Sequence, residues 1–216
     1  HSCGVAVRGI IDRGVPVQST ENYRNVSTFV KRHNNVFKRI VISGDYKYND
    51  AGHAIHTAVL MARPDVNVVL HSHTRAGMTV SCMQCGLLPL TQQASEVMDN
   101  LCYHDYDIAV GAEDECERLG RDIGDKHAMI MHNHGLLTCA STVAEAFYQM
   151  YILENACKVQ VDAMASGADL HHTKESAAKM LRDYGRVKPN KPSRSSRLAW
   201  PALLRMLDKQ DDSYRS

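Results

Sequence analysis

The sequence predicts an α/β layered domain, and three observations carry that expectation. Short β-branched runs alternate with helical stretches, turn residues separate them, and no shift in composition divides the chain into two comparable halves. A chain of 216 residues that is 44% apolar is long enough for one sizeable core. Residues 37–43, FKRIVIS, read as a strand that turns at Gly44 and Asp45, and residues 52–62 as a helix stopped by Arg63 and Pro64. A second strand, 66–73, ends in LHSH. An amphipathic helix from Glu113 to Ile123 leads into a third strand, 128–134, which ends at Gly135. The best-signalled helix starts at Thr142, with Glu145 reaching back as a capping box, and continues to Gly167. Its predicted buried face is Phe147, Met150, Leu153, Cys157, Val161 and Met164. A further helix runs from Thr173 to Tyr184 and is closed by Gly185.

The only biased segment is 186-RVKPNKPSRSS-196, whose Pro, Ser and positive charge read as an exposed linker. It divides the chain into a body, residues 1–185, and a terminal piece, 186–216. Within that piece, 198-LAWPALLRMLD-208 places Pro201 where a first helical turn tolerates it. Leu203, Leu204 and Leu207 share one face, so this helix is expected to dock on the body or on a neighbouring subunit.

Lysine plus arginine (25) nearly balance the acidic residues (24), which argues against nucleic acid or an anionic membrane surface as the general partner. The longest apolar runs are a few residues, so the expectation is a soluble, cytoplasmic protein. Seven cysteines, scattered through apolar elements, suit a reducing compartment better than a disulfide framework. Cys82 and Cys85 form one C-x-x-C with no second pair to complete a zinc site, and packing is the simpler reading.

The twelve histidines are roughly twice the usual share, and most fall between residues 53 and 134. On a strand, alternate side chains share a face, so His71 and His73 project together with Val69 while Ser72 points away. At about 3.3 Å per residue two such imidazoles can lean onto one metal, although a polar strand end facing solvent would look the same. The segment 132-HNHG-135 repeats the pattern, with His132 and His134 expected on one face. A catalytic metal needs three protein ligands and one open position, and the two pairs together supply that count.

The motifs 63-RPDVNVVLHSHTRAG-77, 86-GLLPL-90, 103-YHDY-106, 133-NHGLL-137 and 143-VAEAFYQMYILENAC-157 together resemble the class II aldolase and adducin family, in the branch near the adducin head domain. The resemblance is strongest from Asn49 to Gly167. It implies a three-layer α/β/α fold around a mixed, largely antiparallel sheet. It also implies a divalent metal, zinc first and iron or manganese next, held by His71, His73 and His134. The implied chemistry is that of a lyase acting on a small hydroxycarbonyl or keto-acid substrate through a metal-stabilised enediolate. Homo-oligomers, commonly tetramers, are implied as well, and the adducin side of the family implies a non-catalytic scaffold on the actin cytoskeleton as the alternative.

Two departures stand beside the resemblance. The position matching the family's acid/base glutamate is Gly52, which cannot transfer a proton; His53, His56 and His104 are the candidate substitutes, with Asp105 and Tyr106 beside His104. The position matching a phosphate-binding serine pair is Asp50 and Ala51, and residues 1–36 are divergent or shortened. An aspartate there repels phosphate, so a non-phosphorylated substrate is expected.

Overall fold

A computed structural model describes residues 3–7, 31–33, 36–38, 50–107, 112–185 and 193–210. Its strands are β1 (Cys3–Val7), β2 (Lys31–His33), β3 (Val36–Lys38), β4 (Val68–Ser72), β5 (Leu101–His104), β6 (Ala128–Met131) and β7 (Gly135–Ala140). Its helices are α1 (Asp50–Ala62), α2 (Arg75–Ser81), α3 (Gln92–Val97), α4 (Ala112–Ile123), α5 (Val143–Ala165), α6 (Glu175–Gly185) and α7 (Arg194–Asp208). Five strands form one sheet in the order β1-β4-β7-β6-β5, while β2 and β3 pair separately as an antiparallel hairpin. Only β5 and β6 run parallel, so the sheet is mixed and largely antiparallel, as expected.

The alternation of side chains builds the layers. Val69, Met129, Met131, Leu137 and Cys139 pack on Ile55 and Val59 of α1 and on Leu119 and Ile123 of α4. Their neighbours Ala128, Ile130 and Leu136 face the other way, onto Val80, Ala94, Val97, Leu153 and Cys157 of α2, α3 and α5. The result is three layers, α/β/α, each sheet face closed by helices. Close approaches set the spacing: a Cβ on Gly77 would meet the Leu136 side chain at 2.6 Å, so only glycine lets α2 lie this near β7.

Several sequence expectations are corrected here. Of the strand expected over 37–43, residues 37 and 38 lie in β3, while 39–43 and the turn at Gly44 and Asp45 lie outside the described residues. The strand expected over 128–134 stops at Met131; residues 132–134 form a turn, and Gly135 opens β7 instead of ending β6. Asn133 takes the left-handed conformation at φ 54, which Asn tolerates better than most residues, and this reverses the chain within three residues. The buried face of α5 is Ala146, Gln149, Ile152, Leu153, Ala156, Cys157 and Gln160, leaving Phe147 and Met164 exposed. Gly185 lies against the Glu96 backbone, where a Cβ would stand 2.0 Å from the carbonyl oxygen, so close packing and not a left-handed cap explains it.

The terminal helix also differs. It starts at Arg194, capped by Ser193, so Pro201 lies inside it and leaves the Arg197 carbonyl without its usual donor. Thr142 caps α5 through Glu145 N at 3.3 Å, but the Glu145 carboxylate does not close a capping box. It accepts from Ser193 N at 2.9 Å and Ser196 Oγ at 2.6 Å instead, fastening α7 to α5 from a buried position. Phe147 and Trp200 meet beside it, ring centroids 5.4 Å apart.

Two outcomes follow from this packing. Glu145→Ala strands those donors, at a cost of about 1–3 kcal/mol, and should detach α7 while the body stays folded. The emission of Trp200, the single tryptophan, should shift to the red; unchanged emission would contradict the fastening role. Leu137→Ala, at a fully buried position between β4 and β6, should lower denaturant stability by about 2–5 kcal/mol.

Candidate metal centre

The last residues of β4 and the turn before β7 meet at one end of the sheet's inner strands. His71 sits opposite Leu137 in the antiparallel ladder and Ser72 opposite Leu136. This register puts the His71 Nδ1 2.9 Å from the Leu136 carbonyl oxygen. A carbonyl only accepts, so Nδ1 carries the proton and donates, and Nε2 is left with its lone pair. That Nε2 lies 2.8 Å from His73 Nε2 and 3.2 Å from His134 Nε2. One nitrogen from each of the three rings falls within 4.8 Å of the others. His71 is buried, and His73 and His134 are half-buried.

Backbone geometry forces this convergence. A Cβ on Gly135 would stand 2.5 Å from the Ser72 carbonyl oxygen and 3.0 Å from His73 Cδ2, so β7 approaches the end of β4 only because residue 135 has no side chain. His134 N donates to the Met131 carbonyl at 3.1 Å, His132 N to the His104 carbonyl at 2.8 Å and Asn133 N to the Ser81 carbonyl at 3.1 Å. The turn is thereby tied to β5, β6 and the end of α2. Tyr106 lays its ring edge-on against His134, centroids 3.9 Å apart.

Tetrahedral zinc with Zn–N bonds of about 2.0–2.1 Å separates its nitrogens by roughly 3.4 Å, and the spacing here is close to that. The donor set fits: neutral imidazoles, one of them held in the required tautomer by a backbone carbonyl. Burial, then the neighbouring His134 and His73, lowers His71 to about 4. Burial followed by His73 and His104 does the same to His134. Both rings are therefore neutral, and able to donate a lone pair, throughout the physiological range.

The remaining histidines are placed differently. His132 does not share a face with His134; its Nδ1 pairs with the Asp105 carboxylate at 2.6 Å, near the surface. His104 is fully buried, its Nδ1 2.8 Å from Asp122 Oδ2 and its Nε2 2.8 Å from Glu115 Oε1, so both ring nitrogens are engaged by α4. His56 is buried on α1; Gly52 and His53 lie in the first turn of that helix, where backbone alone is described. Sequence reasoning missed Glu115 and Asp122 as partners of His104, and the Leu136 carbonyl as the group that orients His71. The acidic pair had a visible signal in the amphipathic 113–123 helix, whereas a backbone carbonyl has none.

The depressed histidines have a consequence for stability. An unfolded chain protonates these rings near 6.5, and the folded one only near 4. Between those values the unfolded state binds protons that the native state does not, so metal-free protein loses stability as pH falls through this window and keeps it above 6.5. Thermal melts of chelator-treated protein should show this slope, shallower in a variant carrying His71→Asn and His134→Asn. Gly135→Ala should cost about 1–3 kcal/mol by denaturant unfolding, because the Ser72 backbone must yield.

Comparison with known proteins gives the family. The family model described as "Class II Aldolase and Adducin N-terminal domain" matches residues 19–161. A protein of Pseudomonas aeruginosa named as an aldolase class 2 protein is 44% identical over 176 residues, covering 81% of this chain and 68% of its own length. Mouse alpha-adducin is 42% identical over 119 residues, 55% of this chain but only 16% of the adducin. The crystal structure of an aldolase II superfamily protein from Pseudomonas syringae superposes with a TM-score of 0.73 at 35% identity, over 83% of this chain and 71% of that one. The chain thus spans roughly two thirds of its bacterial relatives and a small part of adducin. With the matched model covering most of the three-layer body, this chain belongs to the class II aldolase and adducin family.

Proposed function

We propose that this chain carries the working domain of a divalent-metal-dependent, lyase-like enzyme acting on a small, non-phosphorylated hydroxycarbonyl or keto-acid substrate. The carrying observation is the convergence of His71, His73 and His134 through their Nε2 atoms. Zinc is the first choice for three imidazole donors, with iron or manganese next. When bound, a divalent cation supplies a Lewis acid able to polarise a carbonyl oxygen. The protein's part is to hold the three rings neutral, to orient His71 through Leu136, and to brace His134 with Tyr106. Proton transfer falls to a group other than residue 52: His53, His56 and His104 remain the candidates. Both His104 nitrogens are held by α4 carboxylates, which counts against that ring. The reading also takes the family's habit of homo-oligomerisation, as a tetramer, and a cytoplasmic setting in keeping with six free cysteines among the described residues.

Elemental analysis of purified protein should return about one divalent metal per chain. His71→Ala or His134→Ala should weaken metal binding by more than about 100-fold, beyond the 10–100-fold typical of outer-shell changes. Protein that stays metal-free after loading with zinc, manganese or iron would sink the proposal. A second reading, a non-catalytic adducin-like scaffold, is favoured by Gly52 and by the identity to alpha-adducin. It predicts actin co-sedimentation by protein that shows no metal-dependent lyase activity on a panel of hydroxycarbonyl compounds.

A further inference from the structure

The described cysteines fall into two groups. Cys102, Cys139 and Cys157 lie in the core, where burial pushes each thiol up to about 12, and Cys116 donates to the Ala54 carbonyl. Cys82 and Cys85 are free and exposed, three residues apart where α2 gives way to a loop. The loop folds through two successive turns, closed by Met83 N to the Val80 carbonyl and by Gly86 N to the Met83 carbonyl, each 3.0 Å. A disulfide needs Cα atoms about 4.4–6.8 Å apart, and Cys82 and Cys85 flank Met83, the residue the two turns share, so closing the bond draws the turns together.

This loop also touches the candidate metal centre. The Ser81 carbonyl accepts Asn133 N, inside the turn that carries His134. Gly86, at φ 59, presses on Tyr103, where a Cβ would stand 2.4 Å from the phenol oxygen. That oxygen accepts Leu87 N at 3.0 Å, and the Tyr103 ring lies 5.4 Å from the ring of His132. The Cys85 thiol faces the Gly86 carbonyl at 3.5 Å and Gln160 Nε2 at 3.9 Å. Bonding to Cys82 means leaving those neighbours, so the segment that props both Tyr103 and the His134 turn must shift.

We propose that Cys82 and Cys85 are a thiol–disulfide exchange site for small-molecule disulfides, and that closing the pair loosens metal held at His134. The second half rests on the metal reading above. The thiolate of one cysteine attacks a sulfur of the small disulfide, forming a mixed disulfide and expelling one thiolate. The second cysteine attacks the protein-bound sulfur, forming the intrachain bond and expelling the other. The protein pair loses two electrons and two protons, and the small disulfide gains both as two thiols. Exposure and the C-x-x-C spacing make this pair, and not the core thiols, the kinetic target.

The test incubates reduced, zinc-loaded full chain with oxidised glutathione, maps disulfides by peptide mass spectrometry and follows zinc loss to a chelator. The expected result is an 82–85 disulfide and zinc loss roughly tenfold faster, the scale of an outer-shell disturbance. The double variant Cys82→Ser, Cys85→Ser should hold zinc as the reduced protein does and ignore the oxidant, which also excludes zinc on the thiols themselves. Glutathione left on either cysteine without an 82–85 bond overturns the exchange site, and equal zinc loss before and after oxidation overturns the coupling. Reduced protein that takes up no zinc overturns the metal reading, and with it the coupling; the peptide map then decides the exchange site alone.

Discussion

The antiparallel pairing of β4 with β7 is the interaction on which the rest depends. It joins the two halves of the sheet, and its register sets His71 opposite Leu137 and Ser72 opposite Leu136. A slip of one residue would turn His71 from the α1/α4 side to the α2/α5 side and break its bond to Leu136. The Gly135 position admits no such slip cheaply, since the approach to Ser72 leaves no room for a Cβ. Packing above and below follows from the same register, because the residues flanking His71 on each strand are those that fill the two helical layers.

The histidines divide by environment. His71 and His134 stand where burial and neighbouring histidines disfavour a positive charge, and both rings stay neutral. His104 and His132 stand against carboxylates, two for the buried ring and one for the surface ring. These four side chains come from two strand ends and one turn, so the partition is made by tertiary packing over a very short stretch of surface. Neutral imidazoles have little attraction for one another; the scaffold holds the cluster together, which is the arrangement expected where a ligand is to supply the missing charge.

Much of the fold was readable locally. Alternation in VVLHSH placed His71 and His73 correctly on one side, and the periodic segments at 52–62 and 113–123 became α1 and α4 nearly to the residue. β7 was missed because a three-residue turn leaves too little room for the polar break that usually marks a strand end, so AMIMHNHG read as one element. The same error put His132 and His134 on a shared face, which a left-handed Asn133 undoes. Glu145 looked like half of a capping box because its pattern is local, whereas its true partners lie about fifty residues on, at Ser193 and Ser196. The candidate site was legible where it rests on close sequence pairs and illegible where it rests on main-chain atoms.

The β4–β7 ladder also bears on how such a site comes into being. His71 and His134 are 63 residues apart, and the bond that orients His71 spans 65. During synthesis, from the amino end, the H-x-H strand emerges well before its partner, and until the chain has passed Ala140 the complete β7 that positions the third ring cannot pair with β4. For the metal centre proposed above, the early pair would bind a cation more weakly than the finished trio, and the folded geometry, not the nascent strand, would select the ion.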